Sequence, residues 1–111
     1  MKRPNVLVVD DDAALLALLR LRLEAADFVV KTVSSGEAAL GWLAGHRPDV
    51  VLTDMQMEGI DGMALFHAIR ARDASLPVVM LTAHATVPDA VAATQEGVFG
   101  YLAKPYDGQE L

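Results

Sequence analysis

The sequence predicts a doubly wound α/β domain, in which a five-stranded parallel sheet carries helices on both faces. Strand-like and helix-like patterns alternate along the chain with a period of about twenty residues, and no hairpin signal interrupts them. Parallel strands need crossover connections of one hand, which place helices on either face of the sheet. The 111 residues, of which 53% are apolar, suffice for one domain with a buried core.

Periodicity, capping residues and helix breakers predict the individual elements. Residues 13–26 carry leucines at helical spacing, and the aspartates before them can cap the free N–H groups of a helix. Residues 50–52 are continuously apolar, so they predict an inner strand, which ends at Asp54. The other expected strands are 6–9, 29–33, 76–82 and 100–103, and the other expected helices are 36–44, 62–72 and 87–96. A last helix is expected to begin at Asp107 and to be truncated after barely one turn.

Composition excludes several classes of protein. The chain contains no cysteine, which removes disulfides, thiolate metal sites and cysteine nucleophiles. The net charge of −6 and the scattered basic residues argue against a surface that grips nucleic acid. The N-terminal residues form neither a signal peptide nor a membrane span. We therefore expect a cytoplasmic domain that binds neither nucleic acid nor membrane and is better suited to a cation.

Polar residues stand where the predicted strands end. The first strand leads into Asp10-Asp11-Asp12, the third ends in Asp54, and the fourth and fifth lead to Thr82 and Lys104. The carboxyl ends of parallel strands meet at one edge, and two carboxylates there repel by roughly 4 kcal/mol at an effective dielectric near 20. A cation relieves that repulsion, and all-oxygen ligands favour Mg²⁺ or Mn²⁺. Thr82 and Lys104 would then serve a phosphoryl group.

Four motifs in order make the chain similar to a known family. Together they resemble the receiver domain of bacterial two-component response regulators, over the whole chain (1–111), and they are Val9-Asp10-Asp11, Asp54 with Gly59 and Asp61-Gly62, Leu81-Thr82-Ala83, and Tyr101-Leu102-Ala103-Lys104-Pro105. Residues 81–99 further resemble the GlrR-type branch of the σ54-dependent transcriptional activators. The resemblance implies a flavodoxin-like fold with strand order 2-1-3-4-5. It also implies a phosphorylation-dependent signalling switch rather than a turnover enzyme.

The same resemblance assigns roles to residues. Asp54 is expected to be the phosphoacceptor for a sensor histidine kinase, and Mg²⁺ to be bound by Asp11, Asp54 and the Gln56 backbone carbonyl, with Asp10 acting through water. Thr82 and Lys104 are expected to hold the phosphoryl oxygens, while Tyr101 turns inward and re-shapes the face of the fourth helix and fifth strand. The Lys104-Pro105 bond is expected to be cis. Output ATPase and DNA-binding modules would lie outside this chain.

Other interpretations stay open at this point. Val8-Val9-Asp10-Asp11-Asp12 also fits the signature of haloacid-dehalogenase-type phosphatases, with Asp10 as nucleophile and Asp12 as acid/base, although Asp54 is then unexplained. A pseudo-receiver that binds partners without phosphorylation is a third hypothesis. Asp12 is more simply a helix cap. Leu18 and Leu21 broaden the apolar surface of the first helix, which fits either a homodimer interface or ordinary surface leucines.

Overall fold

Alternating strands and helices build one parallel sheet. The computed structural model describes residues 3–83 and 87–103. The strands are β1 (Asn5–Val9), β2 (Val29–Val33), β3 (Val50–Asp54), β4 (Val78–Thr82) and β5 (Gly100–Ala103). The helices are α1 (Ala13–Ala25), α2 (Gly36–Leu43), α3 (Gly62–Arg72) and α4 (Val87–Glu96). All neighbouring strands are parallel in the order β2-β1-β3-β4-β5, which confirms the predicted fold.

Short polar side chains set the first residues of three helices. The Asp12 carboxylate accepts hydrogen bonds from the N–H groups of Ala14 and Leu15 at the start of α1. The Ser35 hydroxyl oxygen and the Asp61 carboxylate do the same for α2 and α3. Each cap satisfies a backbone donor that has no partner within its own helix. The expected capping role of Asp12 is therefore confirmed.

The sheet has an apolar core on each face. On one face α1 packs over β1, β2 and β4, and we call this cluster the α1-side core; its buried members are Val6, Val8, Leu15, Leu16, Leu19, Val30 and Leu81. On the other face α2 and α3 pack together with Ala93 of α4 and with Val98, which follows that helix. The buried members of this α3-side core are Leu7, Val9, Ala39, Val51, Leu65, Phe66, Ile69, Leu76, Val78, Met80, Ala93 and Val98. Alternation along the strands sends successive side chains to opposite faces.

Some predicted boundaries were wrong by one or two residues. β4 begins at Val78 rather than at residue 76, because Pro77 has no N–H for the ladder and contributes only its carbonyl, which accepts from the Val51 N–H at 3.0 Å. The helices α1 and α2 each end one residue earlier than expected, and their last turns close through the N–H groups of Ala26 and Ala44. The expected last helix and the Lys104-Pro105 bond lie outside the described residues.

A polar cluster holds the edge of the sheet where β3 and β4 begin. The Arg47 Nε donates to Asp73 Oδ2 at 2.6 Å, and the Ser75 hydroxyl and N–H donate to Asp73 Oδ1 at 2.6 and 3.0 Å. These hydrogen bonds lower the pKa of Asp73 from 3.8 to about 2. The bond from the Ser75 hydroxyl has the largest effect, and the bond from Arg47 has the next largest. The Arg72 Nη1 donates to the Leu40 carbonyl at 3.1 Å, which ties α3 to the last turn of α2.

Within residues 3–83 and 87–103, none of the helices is long and apolar enough to cross a membrane.

Candidate functional site

Three carboxylates meet at the carboxyl edge of β1 and β3. The register pairs Val9 with Thr53, so the next residues along the two strands, Asp10 and Asp54, emerge side by side. One carboxylate oxygen from each of Asp10, Asp11 and Asp54 lies within 4.8 Å of the other two. Asp10 and Asp54 are buried, whereas Asp11 is exposed. The predicted convergence of the acidic strand ends is therefore present.

The hydrogen bonds of Asp10 and Asp12 bear on the choice between a receiver domain and a phosphatase. The Asp10 Oδ1 accepts the Asp12 N–H at 2.8 Å, and the Asp12 carboxylate is engaged with two N–H groups of α1. An acid/base residue of a phosphatase would have to point at the reacting oxygen instead. The geometry therefore does not favour the phosphatase interpretation.

Three hydrogen bonds fix the end of β3 at Asp54 and at the next residue, Met55. Its Oδ1 accepts the Gln56 N–H at 3.3 Å, and its backbone carbonyl accepts the hydroxyl of the fully buried Thr53 at 3.0 Å. The next residue, Met55, donates its N–H to the Leu81 carbonyl at 2.9 Å. Thr53 was not among the predicted site residues, because its bond to a neighbouring carbonyl depends on a side-chain rotamer.

The loop from β3 to α3 is folded back tightly against β3. The Gly62 N–H donates to the Met55 carbonyl at 3.0 Å, and a Cβ on Gly62 would lie only 2.4 Å from the Asp54 carbonyl oxygen. Gly59 has φ +75, a conformation that glycine adopts without strain. Both glycines of the motif are thus needed by the backbone that carries Asp54.

Thr82 and Tyr101 flank the segment that contains α4. β4 runs beside β3 with Leu81 opposite Asp54, so the buried Thr82 follows at the same edge, opposite Ala103 of β5. Tyr101 lies inward, its ring packed against the α3-side core. Its hydroxyl is buried and has no hydrogen-bond partner among residues 3–83 and 87–103. Burial, and to a smaller extent the charge of Asp89, raises the pKa of Tyr101.

The donor set at the carboxylate cluster fits a hard divalent cation. Every side-chain donor is a carboxylate oxygen, and none of the described residues adds a histidine nitrogen to the cluster. Carboxylate and carbonyl oxygens are the ligands of Mg²⁺, which retains waters and coordinates phosphate oxygens. The chemistry of the site is therefore consistent with Mg²⁺ binding. Lys104, the other predicted phosphoryl ligand, lies outside the described residues.

Trp42, Met80 and Leu18 pack against the two cores of the sheet. Trp42 is half-buried against the α3-side core and stacks on the exposed His46 ring at 4.5 Å. Met80 is fully buried in the same core. On α1, Leu18 packs against the α1-side core, whereas Leu21 is 68% exposed. The broad apolar surface of that helix thus includes one side chain left to solvent.

Comparison with known proteins places this geometry in a family. Residues 6–111 match the family described as response regulator receiver domain. The transcriptional regulatory protein GlrR of Escherichia coli is 46% identical over 110 residues, which cover 99% of this chain and 25% of that protein. The DNA-binding transcriptional regulator NtrC of Salmonella typhimurium is 43% identical over 110 residues, covering 99% of this chain and 24% of that protein. This chain spans about a quarter of the length of these curated relatives.

A solved structure agrees with both the sequence match and the fold. The solution structure of the BeF3-activated receiver domain of nitrogen regulatory protein C is 43% identical, with a TM-score of 0.80, and covers 96% of this chain and 86% of that one. The predicted likeness to GlrR-type regulators is confirmed. The chain therefore belongs to the response regulator receiver family, and it is a phosphorylation-dependent switch rather than a classical enzyme.

Proposed function

We propose that Asp54 is the residue that accepts the phosphoryl group. The observation that carries this proposal is the carboxylate cluster: Asp54 lies buried at a strand end with Asp10 and Asp11 within 4.8 Å, in a domain of the receiver family. The Gln56 N–H orients its carboxylate, and Thr53 and Gly62 hold the backbone on which it stands. A nucleophile held in this way needs little rearrangement to meet a phosphorus atom.

The proposed reaction moves one phosphoryl group between two residues. An Asp54 carboxylate oxygen forms a bond to phosphorus while the P–N bond of a phosphohistidine on a sensor kinase breaks. The leaving imidazole nitrogen keeps the bonding electron pair and takes up a proton from water. The product is an acyl phosphate on Asp54, and attack of water on phosphorus later returns the carboxylate and inorganic phosphate. The domain would promote both steps by positioning and by neutralising charge.

The other site residues would share the charge of that group. Asp11, Asp54 and the Gln56 carbonyl would hold Mg²⁺, with Asp10 acting through water. The bound cation would neutralise charge on the phosphoryl oxygens. Thr82 would donate a hydrogen bond to one of those oxygens, and Lys104 would pair with another.

The readout is proposed to lie on the surface of α4 and β5. Two large apolar side chains, Val91 and Phe99, are exposed there. Leu102 is also exposed, but it pairs with Leu81 of the α1-side core and therefore belongs to the other face of the sheet. Tyr101 packs inward against the α3-side core, which supports a role of this ring in re-shaping the surface. Exposed large apolar side chains such as Val91 and Phe99 are typical of protein contact surfaces. They support a switch that is read by another protein module.

The wider role follows from the regulators that this chain resembles. We propose that a cytoplasmic sensor histidine kinase is the donor and that the output modules are an ATPase of the σ54-activator type and a DNA-binding domain, in a longer protein. The relatives named above are transcriptional regulators four times as long as the matched segment. A homodimer is a further proposal, which the exposed Leu21 on α1 supports.

Intact-mass analysis after incubation with acetyl phosphate and Mg²⁺ tests the acceptor. Wild type should gain one phosphoryl group that maps to Asp54, the Asp54→Asn variant should gain none, and Asp10→Asn should gain it more slowly. Uptake by Asp54→Asn at the wild-type rate, or a modification mapped to Asp10, would overturn the proposal. A wild-type protein that takes up nothing but binds Mg²⁺ would instead be a pseudo-receiver.

Thr82→Ala tests the coupling between site and surface. A charge-assisted hydrogen bond contributes about 1.5 to 3 kcal/mol, so the equilibrium between the two states should change roughly ten- to hundredfold without it. The variant should still be phosphorylated, but the amide NMR signals of residues 87–101 should no longer change on phosphorylation. Thr94→Ala is the matched control, because the Thr94 hydroxyl donates to the Ala90 carbonyl within α4. A full wild-type response in Thr82→Ala would exclude Thr82 as the coupling residue.

A further inference from the structure

The C-terminal end of α4 is tied to α3 by one arginine. The Arg70 Nη1 donates to the Glu96 carbonyl, the last of α4, while the guanidinium lies 5.9 Å from the centre of the Phe66 ring. His67, one turn earlier on α3, has its Nε2 3.6 Å from Glu96 Oε1. The carbonyls at a helix end have no partner within the helix, and a cation there also interacts favourably with the helix dipole.

The backbone just after α4 is equally well fixed. Gly97 has φ +112, and its N–H donates to the Thr94 carbonyl at 3.0 Å. The N–H of the buried Val98 donates to the Ala93 carbonyl at 3.1 Å. A Cβ on Gly97 would lie 2.5 Å from Arg70 Nη1, so the guanidinium lies directly over this turn. These contacts form a helix-ending motif that the Arg70 guanidinium covers.

The remainder of α4 has far less contact with the core. Among the α4 side chains that the structure describes (88–96), Ala93 alone is buried. A cleft of about 140 Å³ lies between Met55 and Met63 on one side and Asp89, Ala92, Ala93 and Glu96 of α4 on the other. Elements with little buried apolar surface are displaced at low cost, and methionine side chains adapt to a moving neighbour.

We propose that Arg70 is a positioning residue for the switch, fixing the C-terminal end of α4 so that the helix pivots about Glu96 and Gly97. The inference rests on the proposed function, because it needs a phosphoryl group on Asp54 to drive the movement. Pro88 and Val91 are exposed, so the N-terminal half of α4 buries little apolar surface and can be displaced at low cost. The contact of Arg70 with Glu96 confines that movement to the N-terminal end of α4. Without it the whole helix would shift, and the surface around Val91 would lose a defined orientation.

Amide NMR and hydrogen exchange, with and without beryllium fluoride and Mg²⁺ as the phosphoryl analogue, test the pivot. In wild type the signal changes should be large at Ala90 and Val91 and small at Gly97 and Val98. In Arg70→Ala they should extend to Gly97 and Val98, whose basal exchange should become about tenfold faster. Arg70→Lys keeps a donor and should largely restore the wild-type pattern. Arg72→Ala loses an equivalent bond to the end of α2 and should leave α4 unchanged.

The outcomes separate this inference from the function on which it rests. Equal changes at both ends of α4 in wild type, or a wild-type pattern in Arg70→Ala, would overturn the pivot. If Asp54 is phosphorylated but α4 does not respond in wild type, the pivot is wrong and the phosphoacceptor stands. If Asp54 takes up no phosphoryl group, the proposed function fails. A lower melting temperature of Arg70→Ala with unchanged exchange at Gly97 would show only a structural role.

Discussion

Gly62 lies so close to Asp54 that a Cβ on the glycine would stand 2.4 Å from the Asp54 carbonyl oxygen and 2.7 Å from the Met55 Cα. Both neighbours are backbone atoms, so no side chain can rotate away. The first residue of α3 therefore acts as a spacer that sets the position of the strand end carrying the carboxylate.

Gly62→Ala should destabilise the domain and slow phosphoryl uptake. Overpacking against backbone costs about 1 to 3 kcal/mol, and the forced shift displaces Asp54 from its neighbours. Urea denaturation and intact-mass kinetics measure the two effects. Gly41→Ala on α2 is the matched control, since a Cβ there meets no atom within 4 Å, and it should be neutral or stabilising by up to about 1 kcal/mol. Equal behaviour of the two variants would contradict the spacer role.

Mg²⁺ should raise the melting temperature at constant ionic strength. Neutralising Asp10, Asp11 and Asp54 removes a repulsion that exists only in the folded state, and a ligand of the folded state at ten times its Kd stabilises by about 1.4 kcal/mol. Asp11→Ala should reduce the effect. Glu24→Ala, which removes an exposed acid elsewhere on α1, should not. An unchanged melting temperature in millimolar Mg²⁺ would argue that the cluster is no cation site.

The bonds to Asp73 should make stability depend on pH in the acid range. Its folded-state pKa is lowered to about 2 from 3.8, so its contribution is complete above pH 4 and is lost as pH falls toward 2. The urea midpoint of Asp73→Asn should lie below that of wild type at pH 6, and the gap should close near pH 2. Asp27→Asn serves as the control, because Asp27 makes only a 3.9 Å exposed ion pair with Arg3. A gap independent of pH would contradict the assignment.

Tyr101→Phe should not destabilise the domain. The hydroxyl is buried without a partner among the described residues, and removing such a group relieves a desolvation cost of about 1 kcal/mol or more. The raised pKa of Tyr101 also means that the wild type loses stability as pH rises above about 10, and the variant should lose less. Melting curves from pH 7 to 11 measure both. A variant that melts well below wild type at pH 7 would show that the hydroxyl makes a stabilising bond.

Much of the fold could be predicted because its signals are local. The periodicity of the leucines in α1, the apolar run before Asp54 and the breakers after each helix lie within single elements. The meeting of Asp10 with Asp54 then followed from parallel geometry alone, which places strand ends at one edge. The predicted start of β4 was wrong because the apolar Leu76 extends the strand-like pattern, whereas Pro77 has no N–H for the ladder.

The contacts that refine the site could not be predicted in this way. Arg70 meets Glu96 across 26 residues, and the close approach of Gly62 to Asp54 depends on the path of a loop that has no periodic pattern. Thr53 bonds a neighbouring carbonyl, which requires knowledge of its rotamer. Such contacts depend on tertiary packing, which residue spacing does not encode. The roles of Lys104 and of the Lys104-Pro105 bond stay predictions.

The lack of cysteine and the polarity of the parallel sheet have a practical consequence. Gly45 is exposed in the turn before β3, and a Cβ there meets no atom within 4 Å. That turn is separated from Asp54 by the length of β3, roughly 13 Å for a five-residue strand. Gly45→Cys would supply the sole thiol of the chain. A dye or surface linker attached there would hold single molecules by the edge of the sheet where β3 begins. The carboxyl edge, which carries Asp54, would stay accessible.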